Sequence, residues 1–106
     1  RDINAAAIIN FTSSGSTALR TARQRPAVPI LCLTQNADVA HRLTLSYGVR
    51  PLHVEGVENT TQALKVACEK AKEKDIAQPG QRVVLTAGVP FNTPGSTNLL
   101  RIAWVE

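Results

Sequence analysis

"AAAIINFTSSGSTALRTARQRPAVPILCLT" occupies residues 5–34 and decides the fold. Its first part, Ala5–Phe11, is a near-continuous apolar run of strand length, the pattern of a strand covered on both faces as in parallel sheets. The second part, "TSSGST" (12–17), is a turn rich in hydroxyls. The third, Thr17 to Gln24, sets Ala18, Leu19 and Ala22 on one helical side. It stops at Arg25–Pro26, because the residue before a proline avoids the α region. "VPILCLT" (28–34) is then a second buried strand. Two strands joined through a helix run parallel in a right-handed crossover, so this stretch predicts one β-α-β unit.

The same alternation continues outward. "GVRPLHV" (48–54) is a third strand, weakened by Pro51, which has no ladder donor. "RVVLTA" (82–87) is a fourth, introduced by the turn pair Pro79–Gly80. "NLLRIAWV" (98–105) is a fifth, with Leu100, Ile102 and Trp104 on one face and Leu99, Ala103 and Val105 on the other. Between strands two and three, Asn36 to Tyr47 reads as a helix capped by Asn36, stopped by Gly48, with Val39, Ala40 and Leu43 inward. "NTTQALKVACEKAKEK" (59–74) is the clearest helix: Asn59 and Gln62 resemble a capping box, and Leu64, Ala67, Cys68 and Ala71 form its inner stripe. Lys70, Lys72, Glu73 and Lys74 face water.

The fourth and fifth strands are joined only by "GVPFNTPGST" (88–97), too short for a parallel crossover, so the fifth runs antiparallel. The expectation is an α/β three-layer sandwich around a mostly parallel five-stranded sheet. If the chain winds outward from strand one and then returns, the order is 3-2-1-4-5, with a switch point between strands one and four.

At 106 residues the chain is one domain. An apolar fraction of 43% with 19% charged residues argues against disorder, and 4% aromatics imply an aliphatic core. No apolar run approaches the ~20 residues of a membrane span, and "RDINAAAIIN" lacks the order of a signal peptide. A start at Arg1 rather than methionine is expected for a processed or partial chain. Cys32 and Cys68 fit no metal spacing, and each sits where cysteine serves as a small apolar filler. A reducing, cytoplasmic setting follows from that usage. The net charge of +4 is carried largely by Arg20, Arg23, Arg25, Arg42 and Arg50. Without interleaved aromatics to stack bases, it suits an anionic small molecule, an acidic partner or a plain solvated face better than nucleic acid.

The hydroxyl-rich turn is the candidate site. Gly15 lets backbone approach a ligand, amides at a helix start favour an anion, and Thr12, Ser13, Ser14, Ser16 and Thr17 add neutral donors. It is neither a Walker loop nor a nucleophile elbow. A turn of this composition also serves simply to cap the helix after it. A second such loop, "FNTPGSTN" (91–98), reads alternatively as a tight connection before an edge strand. With the 3-2-1-4-5 order both loops leave from carboxyl ends at the switch point, where ligands bind in open α/β sheets. His41, His53 and Ser14 have no activating neighbours in sequence, and Glu55 and Glu58 do not amount to a metal set, so no catalytic or metal site is expected.

These residues carry a resemblance. The stretch 5–36, "YGVRPLHV" (47–54), "GQRVVLTAGVPF" (80–91) and "PGSTNLLRIAWV" (94–105) together resemble the carboxy-terminal domain of the pyruvate kinase family, in order and over nearly the whole chain. The resemblance implies a parent enzyme that transfers a phosphoryl group from phosphoenolpyruvate to ADP with magnesium and potassium. Its active site lies in a barrel domain outside residues 1–106. It further implies a regulatory domain within a cytoplasmic homotetramer, itself without cofactor. The phosphate of a sugar-phosphate or nucleotide effector would be held by Thr12, Ser13, Ser14, Gly15, Ser16 and Thr17. An effector loop of Phe91, Asn92, Thr93, Pro94, Gly95, Ser96 and Thr97 would fold over it. Members that bind a bisphosphate often have a basic residue in the first loop. Here Ser13 and Ser16 are neutral, and "VEGVEN" (54–59) brings two glutamates. The alternatives are a purely structural oligomerisation domain and a stand-alone small phosphate-ester enzyme.

Overall fold

Alternate residues of each strand turn to opposite sides of one sheet, and a helix covers each side. The computed structural model describes residues 5–12, 27–43, 49–89 and 97–106. In chain order the elements are β1 (Ala5–Phe11), β2 (Ile30–Thr34), α1 (Ala37–Leu43), β3 (Val49–His53), α2 (Thr60–Glu73), β4 (Arg82–Val89) and β5 (Thr97–Trp104). The sheet order is β3-β2-β1-β4-β5. β1 pairs parallel with β2 and β4, β2 parallel with β3, and β4 antiparallel with β5. The expected order and the single antiparallel pair are both present. The helix expected over Thr17–Gln24 lies outside the described residues, as does the end of the helix expected to reach Tyr47.

The two faces are built differently. On one, Ala7, Ile9, Phe11, Leu31, Leu33, Val83 and Leu85 pack against Ala63, Ala67 and Ala71 of α2. Three alanines spaced by four residues make a narrow, flat stripe that lets the helix lie close to β-branched and leucine side chains. The inner stripe is therefore centred on Ala63, Ala67 and Ala71, with the expected Leu64 and Cys68 half-buried at its flank. On the other face, Val39 and Leu43 of α1 meet Ile30, Cys32 and Val49.

Local chemistry sets the ends of α2. Asn59 is the N-cap: its Oδ1 accepts from the Gln62 N–H at 2.9 Å. The reciprocal bond is displaced by one residue from a standard capping box, since Gln62 Oε1 accepts from the Glu58 N–H at 2.7 Å. At the far end the Asp75 N–H donates to Lys72 O at 3.0 Å and the Ile76 N–H to Ala71 O at 2.8 Å. That pair of bonds is a Schellman motif, and Asp75 occupies its left-handed position at φ 60° where glycine is usual.

Pro51 sits on β3, an edge strand, where its missing N–H costs no central ladder bond. β5 is the other edge. The two faces expected for this apolar run are unequally covered: Ala103 is half-buried and Val105, just beyond the strand, buried, but Leu100, Ile102 and Trp104 are 57%, 44% and 62% exposed. The cause is topological: α1 packs on the same face of the sheet but over β2 and β3, at the far edge from β5.

Candidate functional site

The carboxyl ends of β1 and β4 lie side by side. Phe11, the last residue of β1, is the register partner of Ala87 in β4. Thr12 follows directly, half-buried, its N–H donating to Leu33 O at 3.0 Å and so extending the β1–β2 ladder by one bond. β4 runs on to Val89, which pairs with Thr97 at the start of β5. Thr12, Val89 and Thr97 therefore root both hydroxyl-rich segments at one edge, on strands spaced about 4.8 Å from neighbour to neighbour. Of the expected phosphate-binding residues, Ser13, Ser14, Gly15, Ser16 and Thr17 lie outside the described residues, as do Phe91, Asn92, Thr93, Pro94, Gly95 and Ser96.

Directly beneath this edge is a polar pair that sequence reasoning passed over. Asn10 is fully buried, and its Nδ2 donates to Thr86 Oγ1 at 2.5 Å. The two residues are register partners across β1 and β4. Asn10 Oδ1 is buried and has no hydrogen-bond partner among the described residues. The available signal was a lone asparagine inside "AAAIINF", an apolar run with no other polar side chain.

The same edge continues over β2 and β3. Thr34 is fully buried and its Oγ1 accepts from the Asn36 N–H at 3.1 Å. Asn36 Oδ1 in turn accepts from the Asp38 N–H at 2.9 Å, capping α1 as expected. His53 ends β3 with Nε2 at 3.2 Å from the Gln35 carbonyl, where Nε2–H donates, and at 3.8 Å from Glu55 Oε2. Glu55 and Glu58 are both exposed. His53 is thus tied to the backbone of the loop after β2. Among the described residues, no three or more His, Cys, Asp or Glu side chains are grouped to hold a metal ion.

Both cysteines are free thiols. Burial pushes the Cys32 thiol up to about 12. Cys68 is raised by burial first, then by Glu106 and Glu69. A raised thiol is poorly ionised at neutral pH and a weak nucleophile. Among the described residues, no helix is long and apolar enough to cross a membrane.

Comparison with known proteins agrees with this geometry. Residues 1–103 match the family described as "Pyruvate kinase, alpha/beta domain". The chain is 38% identical over 105 residues to a pyruvate kinase of Clostridium acetobutylicum, covering 99% of this chain and 22% of that protein. It is 41% identical over 98 residues to one from Methylorubrum extorquens, covering 92% of this chain and 20% of the relative. Among solved structures, Cryptosporidium parvum pyruvate kinase in complex with ADP superposes with a TM-score of 0.87 at 30% identity, over 99% of this chain and 21% of that one. The chain thus spans about a fifth of the length of these relatives. Sequence match, strand order and superposition coincide, and the chain belongs to the pyruvate kinase alpha/beta domain family.

Proposed function

We propose that this domain binds a phosphorylated effector and helps assemble the subunits of a pyruvate kinase, the parent enzyme transferring a phosphoryl group from phosphoenolpyruvate to ADP. The observation that carries the effector reading is the adjacency of the β1 and β4 carboxyl ends. Phe11 pairs with Ala87, and Val89 with Thr97, so two segments rich in hydroxyls and glycine are rooted side by side at a switch point. An anion there would be held by neutral hydroxyls and backbone amides of residues 12–17, with residues 91–97 as the covering loop. A single phosphate suits the edge better than two. Glu55 and Glu58 follow β3, two strands and about 10 Å from β1, and their carboxylates repel a second phosphate reaching that way.

The effector would regulate by preferring one arrangement of a cytoplasmic homotetramer, shifting the equilibrium by its difference in affinity, typically ~1–3 kcal/mol. The magnesium and potassium of the parent reaction would act in the catalytic part of the enzyme. Assembly is supported independently by β5, an edge strand carrying three exposed large apolar side chains.

Calorimetry on the full-length protein tests the reading, with AMP, a hexose monophosphate and a hexose bisphosphate as ligands. A monophosphate is expected to bind, and Thr12→Ala combined with Ser14→Ala to weaken it at least tenfold. Failure of every phosphate ligand would leave assembly as the sole role. Turnover of a phosphate ester by residues 1–106 alone would replace the reading with a small enzyme.

A further inference from the structure

The polar pair beneath the switch point, a fully buried Asn10 and a half-buried Thr86, has a cost, and that cost points to a role. The surrounding positions on the same face, Ile8, Ile30, Cys32 and Val84, are apolar, and Asn10 and Thr86 stand among them as register partners. A valine at each position would fill comparable space with no polar atom to satisfy. Instead Asn10 buries an amide whose Nδ2 reaches Thr86 Oγ1 while Oδ1 has no hydrogen-bond partner among the described residues. Buried polar groups that are only partly satisfied lower stability relative to an apolar pair of similar shape. What the pair supplies in return is direction. Aliphatic contacts tolerate small slips and rotations between strands, whereas a hydrogen bond fixes both distance and angle.

The location makes that restraint consequential. Asn10 stands two residues before Thr12, and Thr86 three before Val89, so the bond joins the two strands just under the roots of both hydroxyl-rich segments. We infer that Asn10 and Thr86 are a positioning pair: their side-chain hydrogen bond holds the ends of β1 and β4 at the spacing and rotation the anion site requires, at the expense of stability. This rests on the anion-binding reading above.

The test uses the full-length protein with Asn10→Val, Thr86→Val, the double variant, and Thr86→Ser, which keeps the hydroxyl. Two quantities are read on each: the denaturation midpoint, and the dissociation constants of AMP and inorganic phosphate by calorimetry. The double variant is expected to match or exceed the wild type in stability while binding the anion at least fivefold more weakly. Thr86→Ser is expected to stay within twofold of wild-type affinity. A purely structural pair would move the midpoint and leave affinity alone. Wild-type affinity in the double variant therefore overturns the inference while leaving the anion site standing. If the wild type binds neither probe, the anion-binding reading itself falls and this inference with it. Should the double variant not fold, Thr86→Val against Thr86→Ser carries the comparison: equal affinities overturn the positioning role.

Discussion

Gln35 and Val57 exchange two hydrogen bonds: Gln35 Nε2 donates to Val57 O at 3.0 Å, and the Val57 N–H donates to Gln35 Oε1 at 3.0 Å. A side-chain amide here imitates one rung of a β-ladder. It clamps the loop between β3 and α2 to the loop after β2, while His53 adds a bond to the Gln35 carbonyl. Val57 itself is buried, so its backbone groups have little access to water. Gln35→Ala removes both bonds, and leaving buried backbone groups unpaired costs about 2 kcal/mol of stability. Urea denaturation checks the value; a loss under ~0.5 kcal/mol would show that water replaces the clamp.

Asp75 adopts the left-handed conformation of the Schellman turn at φ 60°. Its side chain also accepts from Gln78 Nε2. Glycine removes the Cβ penalty, which exceeds the value of an exposed side-chain bond. Asp75→Gly is expected to stabilise by about 0.5–1 kcal/mol, read as a raised denaturation midpoint.

The Cys32 thiol, raised by burial from 9.0 to about 12, gives an alkaline signature. A group whose pKa rises on folding contributes full stability below its unfolded pKa. Between about pH 9 and 12 the unfolded thiol ionises while the folded one keeps its proton, and stability falls by about 1.4 kcal/mol per pH unit. Cys32→Ala should flatten that part of the stability–pH curve, whatever it does at neutral pH. In the wild type, thiol titration with a disulfide reagent should find Cys32 silent until the protein unfolds.

Trp104, the single tryptophan, is 62% exposed on β5 beside Leu100 and Ile102, with the Arg82 guanidinium 5.2 Å from its ring centroid. If subunits associate through this strand, as proposed above, its ring dries and its emission should shift to the blue. Ile102→Lys puts a charge on the exposed face without touching the core, and is expected to abolish the shift and lower the assembly state by sedimentation. An unchanged assembly state would exclude the β5 face from the interface.

Much of the fold was legible because its signals are local and strong. The runs 5–11 and 82–87 have no periodicity to misread, and Asn59 and Asn36 cap the helices they precede. The single antiparallel pair followed from a short connection set against long crossovers, and the strand order from a chain that winds outward from strand one and then returns. What stayed hidden depends on partners far away in sequence. Nothing near Leu100, Ile102 or Trp104 says that α1 lies over the other half of the sheet, so exposure of that face was not foreseen. The flanking position of Leu64 reflects how closely three alanines let α2 approach. Asn10 acquires meaning only through Thr86, 76 residues later. The 12–17 and 91–97 segments stand out by composition; Thr12, Val89 and Thr97 give their roots, and the residues between lie outside the described ones.

The two borders of the sheet are unequal in their capacity to recruit another strand. β3 is five residues long and interrupted by a proline, whereas β5 offers eight residues and a greasy flank. Any extension through backbone pairing is therefore one-sided. Two copies meeting through β5 about a dyad would produce a ten-stranded layer terminated at both extremities by Pro51, a self-limiting dimer rather than the seed of a fibre.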